Sequence, residues 1–112
     1  MKAVITNSEV QKYIEDRWTF RTDGGSISGR WEGDELYTVY SYTTAIYQYR
    51  DGAHWVNDTH YSVTTSKQQG YVRGAAWGQD VVTVINVPYG AYDLTKYTGK
   101  VGKERAKRLA SV

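Results

Sequence analysis

The stretch Leu36-Tyr37-Thr38-Val39-Tyr40-Ser41-Tyr42-Thr43-Thr44-Ala45-Ile46-Tyr47-Gln48-Tyr49-Arg50 decides the reading of this chain. It is dense in β-branched and aromatic residues and holds neither proline nor glycine, the composition of extended chain. Its length exceeds the usual strand of about 5 to 6 residues, so a bulge or break is expected between Ser41 and Thr44. Asp51-Gly52 then supplies a turn that tolerates positive φ, and His54-Trp55-Val56-Asn57 resumes the extended pattern. Together they predict a hairpin.

Strict alternation places Tyr40 and Tyr42 with Leu36 and Ile46 on one face, and Tyr37, Tyr47 and Tyr49 with Val39 and Ala45 on the other. One face packs on helices. The other is either covered by neighbouring chain, the commoner fate, or offered to a partner, because tyrosine is enriched at interfaces and stacks on bases. Tyr37, Tyr47 and Tyr49 are thus the candidate partner face.

On the N-terminal side, Thr6-Asn7-Ser8-Glu9 has the hydroxyl and the carboxylate of a capping box. Val10, Tyr13 and Ile14 follow at helical spacing, which predicts a helix ending near Arg17 before the turn Asp23-Gly24-Gly25-Ser26. On the C-terminal side, Thr65 and Gln68 form a second capping box, so a second helix is expected to open at Thr65, with Val72, Ala75 and Ala76 inward. Val81 to Val87, bounded by Gly78 and Pro88, reads as a third strand. The expected architecture is α+β: a small, mainly antiparallel three-stranded sheet packed against two helices.

Composition sets the frame for function. The chain of 112 residues fits one domain, carries eleven tyrosines against one phenylalanine, and has no cysteine. Disulfides and thiolate metal sites are therefore excluded. No apolar run reaches the roughly 18 residues of a membrane span, and the N-terminus lacks a signal-peptide pattern. Asn57-Asp58-Thr59 matches a glycosylation acceptor but means nothing without secretion. Residues 96–112 carry Lys96, Lys100, Lys103, Arg105, Lys107 and Arg108 against Glu104 alone, 6 − 1 = +5, while residues 1–95 carry 8 basic and 11 acidic side chains, or −3. The expected division is a domain over 1–95 and a basic tail or short helix over 96–112. Lys100, Lys103, Arg105, Lys107 and Arg108 are candidate nucleic-acid contacts through salt-sensitive phosphate pairing; the bland alternative is a solvated terminus.

Several of these segments resemble a group of small, uncharacterised bacteriophage proteins, especially from phages of actinobacteria. The resemblance spans roughly residues 6–76. It rests on Thr6-Asn7-Ser8-Glu9, on Gly24-Gly25-Ser26 with Ile27 and Gly29, on Tyr40-Ser41-Tyr42 with Thr44-Ala45-Ile46, and above all on Tyr61-Ser62-Val63-Thr64-Thr65-Ser66-Lys67. A histidine commonly follows that lysine in the group, whereas Gln68 stands here. The resemblance implies a viral origin and a place in the cytoplasm of the infected host cell, and it implies no activity.

Catalytic chemistry finds little support: two histidines, no phosphate-binding glycine loop and no nucleophile elbow. No catalytic residue, cofactor or metal is expected. His54, Asp58 and His60 share a strand face, yet the two histidines would lie roughly 20 Å apart on a straight strand. Ser62, Thr64, Thr65, Ser66 and Lys67 gather hydroxyls and an ammonium at a helix start, where an anion is favoured, with Arg73 flanking; the hydroxyls could equally only cap. The sequence reading is therefore a non-enzymatic accessory protein that binds a host or defence-system protein or nucleic acid. The alternative is a nucleotide- or anion-binding protein, or a small enzyme, using the helix mouth at Thr65 to Lys67.

Overall fold

The computed structural model describes residues 4–97 and, for the backbone alone, residues 99–103. The strands among them are β1 (Val4–Ile5), β2 (Phe20–Thr22), β3 (Ile27–Glu32), β4 (Leu36–Ser41), β5 (Thr44–Arg50), β6 (Ala53–Asn57), β7 (Asp80–Val84) and β8 (Gly99–Lys103). All eight belong to one sheet whose spatial order follows the chain. The expected small three-stranded sheet is thus wrong: the protein is α+β, but its sheet is large and mixed. The long tyrosine-rich run is two strands, because the break expected between Ser41 and Thr44 is a full reversal in which Tyr42 takes φ 54°.

The pairing is antiparallel except at two joints, β1 with β2 and β6 with β7. Parallel neighbours need a crossover, and each joint has a helix. α1 (Val10–Glu15), preceded by a 3-10 turn at Asn7–Glu9, links the first pair, and α2 (Val63–Ala75) links the second. Four antiparallel steps separate β2 from β6, so both crossovers step the same way along strands that point the same way. Equal handedness then puts both helices on one face. α1 packs on α2, with Gln11 against the backbone at Gly74. A flat sheet would hold β1 and β6 about 24 Å apart, whereas packed helices lie roughly 8 to 10 Å apart. The sheet therefore curls around the helix pair.

That curl encloses a core of Ile5, Val10, Tyr13, Ile14, Phe20, Ile27, Tyr37, Val39, Tyr47, Val56, Val72 and Val81. A second cluster lies on the convex face, where Tyr40, Ala45 and Val84 are covered by Val87, Ala91 and Leu94 of the β7–β8 connection. Buried Gln48 fastens that cover: its Nε2 donates to the carbonyl of Tyr92 at 2.8 Å and its Oε1 accepts from the Leu94 amide at 2.8 Å. A register shift between Val39 and Tyr40 breaks strict alternation along β4 and β5. It places Ile46 and Tyr47 together in the concave core while Tyr40 and Ala45 face the convex cluster, so the expected division of the tyrosine faces does not hold.

The third strand of the sequence reading, Val81 to Val87, is β7 and stops at Val84. Within the segment 96–112, expected as a basic tail or short helix, residues 99–103 form β8, pairing Lys100 with Thr83 and Lys103 with Asp80, and residues 104–112 lie outside the described residues.

Candidate functional site

The C-terminal ends of β4, β6 and β7 meet at one end of the sheet, here called the upper end, where ligands of parallel-strand folds commonly bind. Three connections are tied together there. The β4–β5 turn is held by the Tyr42 amide on the Ser26 carbonyl at 2.9 Å and by the Gly90 amide on Thr44 Oγ1 at 2.9 Å. The connection from β6 to α2 is built around buried Asn57. Its Nδ2 donates to the Ala45 carbonyl and to Tyr61 Oη, and its Oδ1 accepts from the Thr59 amide. Asn57 is fully buried, so the glycosylation pattern is structural. Gln69 reaches from α2 to donate to the carbonyls of both Asn57 and Thr59 at 2.8 Å. The third connection joins through Thr59 Oγ1, which accepts from the Val87 amide, and through Tyr61 Oη, which donates to the Val87 carbonyl at 2.6 Å.

α2 begins inside this framework, one turn earlier than its sequence signal suggests. Ser62 is the cap, and its Oγ accepts from the Thr65 amide at 3.1 Å. Thr65, the expected cap, is instead buried, with its hydroxyl bonded to Ser41 and Ser62. Thr64 and Lys67 are exposed and Ser66 is half-buried. The Arg73 guanidinium pairs with Asp58 of the β6–α2 connection at 2.9 Å. Gln68 is buried and donates to the Ser26 carbonyl at 3.2 Å, while its Oε1 lacks a hydrogen-bond partner. The structure thus brings together Ser62, Thr65 and Ser41 as architecture and leaves Thr64 and Lys67 facing solvent.

Sequence reading missed what covers this end. Tyr42, Val63, Ile85 and Tyr89 are 62%, 81%, 56% and 75% exposed, respectively. They come from separate segments, and nothing in their spacing marks them as neighbours. The connections above join their backbones, and the Tyr61 and Tyr89 rings lie 4.9 Å apart. The exposed apolar side chains of this end are thus two aromatic and two aliphatic, each on a different segment.

The tyrosines expected as a partner face lie elsewhere. Tyr37 and Tyr47 are buried in the concave core, where burial pushes both phenols above their ordinary pKa. Tyr37 donates to the Trp18 carbonyl at 2.7 Å. Tyr49 is half-buried beneath the Arg17 guanidinium, 4.1 Å from its ring centroid. No pair among Tyr37, Tyr47 and Tyr49 forms an open face.

Among the described residues no group of three histidine, aspartate or glutamate side chains is placed to hold a metal ion. No helix there is long and apolar enough to cross a membrane. The backbone of Lys100 and Lys103 belongs to β8, and Arg105, Lys107 and Arg108 lie outside the described residues. No known protein family, curated protein or solved structure matches the chain.

Proposed function

We propose that this is a non-enzymatic accessory protein, of the bacteriophage type its sequence resembles, that docks a protein partner on its upper end. The observation that carries this reading is that Tyr42, Val63, Ile85 and Tyr89, all more than half exposed, stand on the connections of one end of the sheet, which buried Asn57 and Gln69 pin. Large apolar side chains on rigid loops are what interface centres use, since little side-chain or loop freedom is lost on binding. Nucleic acid is the weaker reading of this end. Phosphate contacts need several cations, and this end offers exposed Lys67 while the Arg73 guanidinium pairs with Asp58.

The test is capture of the tagged protein from infected host cells with and without nuclease, followed by calorimetry on the purified partner. Tyr89→Ala and Val63→Asp should each weaken binding by roughly 5- to 30-fold, the range of an interface anchor, with little dependence on salt. Wild-type affinity in the double variant, or a partner released by nuclease, would refute the reading.

A further inference from the structure

At the opposite end of the molecule a cleft of about 320 Å³ opens between the ends of α1 and α2 and the β5–β6 hairpin. That volume suits one small molecule. Arg17, Glu15, Tyr47, Tyr49, His54 and Gln79 line it.

The conformation of Arg17 is the first sign that this cleft is built. α1 ends in a Schellman motif: the Trp18 amide donates to the Tyr13 carbonyl and the Arg17 amide to the Ile14 carbonyl. The Tyr13 and Trp18 rings close it at 5.0 Å. Its left-handed position ordinarily takes glycine, yet Arg17 occupies it at φ 54°. Its carbonyl accepts from Trp31 Nε1, a backbone role that glycine would fill equally well. What the arginine adds is its side chain, laid over the Tyr49 ring at the cleft wall. Strain of this kind points from the outlier to a use.

The groups behind it bear on what the wall presents. Arg17 and Tyr47 line the cleft together, and the Arg17 charge acts on the Tyr47 phenol. Tyr47 Oη and His54 Nδ1 share a hydrogen bond at 2.8 Å. In the tautomer where Tyr47 donates, the neutral imidazole carries its hydrogen on Nε2, which has no partner among the described residues. Burial and the Arg17 charge both lower the His54 pKa, so the neutral ring prevails near pH 7.

Glu15 lines the same cleft and makes no ion pair with Arg17. Its only described hydrogen bond is a long one, 3.4 Å, from Gln11 Nε2. The last residue of α2, Ala75, also lines the cleft, so the negative end of that helix dipole lies close by. A dianion such as phosphate would meet both. A cation and an anion that share a cleft without neutralising each other complement a zwitterion.

We propose that this cleft binds a free α-amino acid, its carboxylate on the Arg17 guanidinium and His54 Nε2–H and its ammonium on Glu15. This site is independent of the upper end. NMR titration of the full chain, following arginine Nε and histidine ring nitrogens, tests it with the common α-amino acids, with acetate, and with inorganic phosphate. The expected result is saturable shifts at Arg17 and His54 with at least one amino acid, at an affinity about tenfold or more above that of acetate. Arg17→Gly should stay folded, its backbone strain relieved, and lose the binding. Glu15→Gln, an exposed and harmless change to the fold, should reduce amino-acid affinity to the level of acetate. The proposal is overturned by absence of saturable shifts with every amino acid, by phosphate or acetate binding as tightly, or by full affinity in Arg17→Gly or Glu15→Gln.

Discussion

Replacing Gln69 with leucine isolates the contribution of one side chain to the loop framework of the upper end. The residue is 4% exposed on α2, and leucine nearly matches it in volume and equals it in helix propensity. What disappears is the pair of donations to the Asn57 and Thr59 carbonyls, both at 2.8 Å. The first is buried, and an acceptor stranded in the interior costs about 1 to 3 kcal/mol. The second is partly exposed and recovers water, so its loss costs nearer 1 kcal/mol. The sum, about 2 to 4 kcal/mol, is a large share of the roughly 5 to 15 kcal/mol that hold a domain of this size. With a urea slope of about 2 kcal/mol/M, the middle of the usual range, the midpoint should fall by roughly 1 to 2 M. Hydrogen exchange at the Thr59 and Ser62 amides should accelerate beyond this global effect, because the segment between β6 and α2 loses its tie to the helix. A midpoint within about 0.3 M of wild type would show that water replaces both donations, and that the rigidity claimed for the docking surface does not come from Gln69.

Two further outcomes follow from geometry. Gly29→Ala should cost several kcal/mol, about 1 to 3 or more by overpacking, because a Cβ there collides with the Phe20 ring and the Tyr37 hydroxyl. Gly74→Ala meets only the end of the flexible Gln11 side chain and should be neutral or stabilising by up to about 1 kcal/mol; thermal melts of the two variants that ranked them in the opposite order would contradict the packing described. The lowered pKa of His54 makes the folded state resist a proton that the unfolded chain accepts near pH 6.5. Stability from this group is complete above that pH and lost as pH falls through the folded value, with Arg17, Tyr47, Tyr49 and Glu15 around the ring. His54→Gln should flatten urea stability between pH 7.5 and 5.5, and an unchanged slope would remove His54 as its source.

Local chemistry was legible from the sequence where it is decided locally. The Thr6 capping box is present, with the Thr6 amide donating to Glu9 Oε1 at 3.1 Å, and α1 stops just before Arg17 as its spacing indicates. Asp51 and Gly52 both take positive φ in the β5–β6 turn, the chemistry that pair of residues announces. Strands with weak signals escaped notice. β3, Ile27-Ser28-Gly29-Arg30-Trp31-Glu32, holds a glycine that looks like a strand breaker and is in fact required by the rings of Phe20 and Tyr37. β8 has one β-branched residue and is a strand because β7 offers it an edge. Ser62 is the cap although the spacing of Thr65 and Gln68 points to Thr65, whose hydroxyl instead bonds Ser41 across the fold.

The amino-acid sequence by itself determined that the chain is α+β, where its helices lie, which turns reverse it, and that disulfides play no part. Only the tertiary structure decided how many strands join and which side chains meet. Hairpin turns and caps depend on residues two or three apart, so their signals survive in any single sequence. The curl of the sheet depends on two crossovers of equal hand stacking α1 on α2, and a one-residue register shift between Val39 and Tyr40 re-sorts the tyrosines between its faces. The meeting of Tyr61 with Tyr89, or of Arg17 with Tyr49, is a consequence of that closure, and no spacing along the chain encodes it.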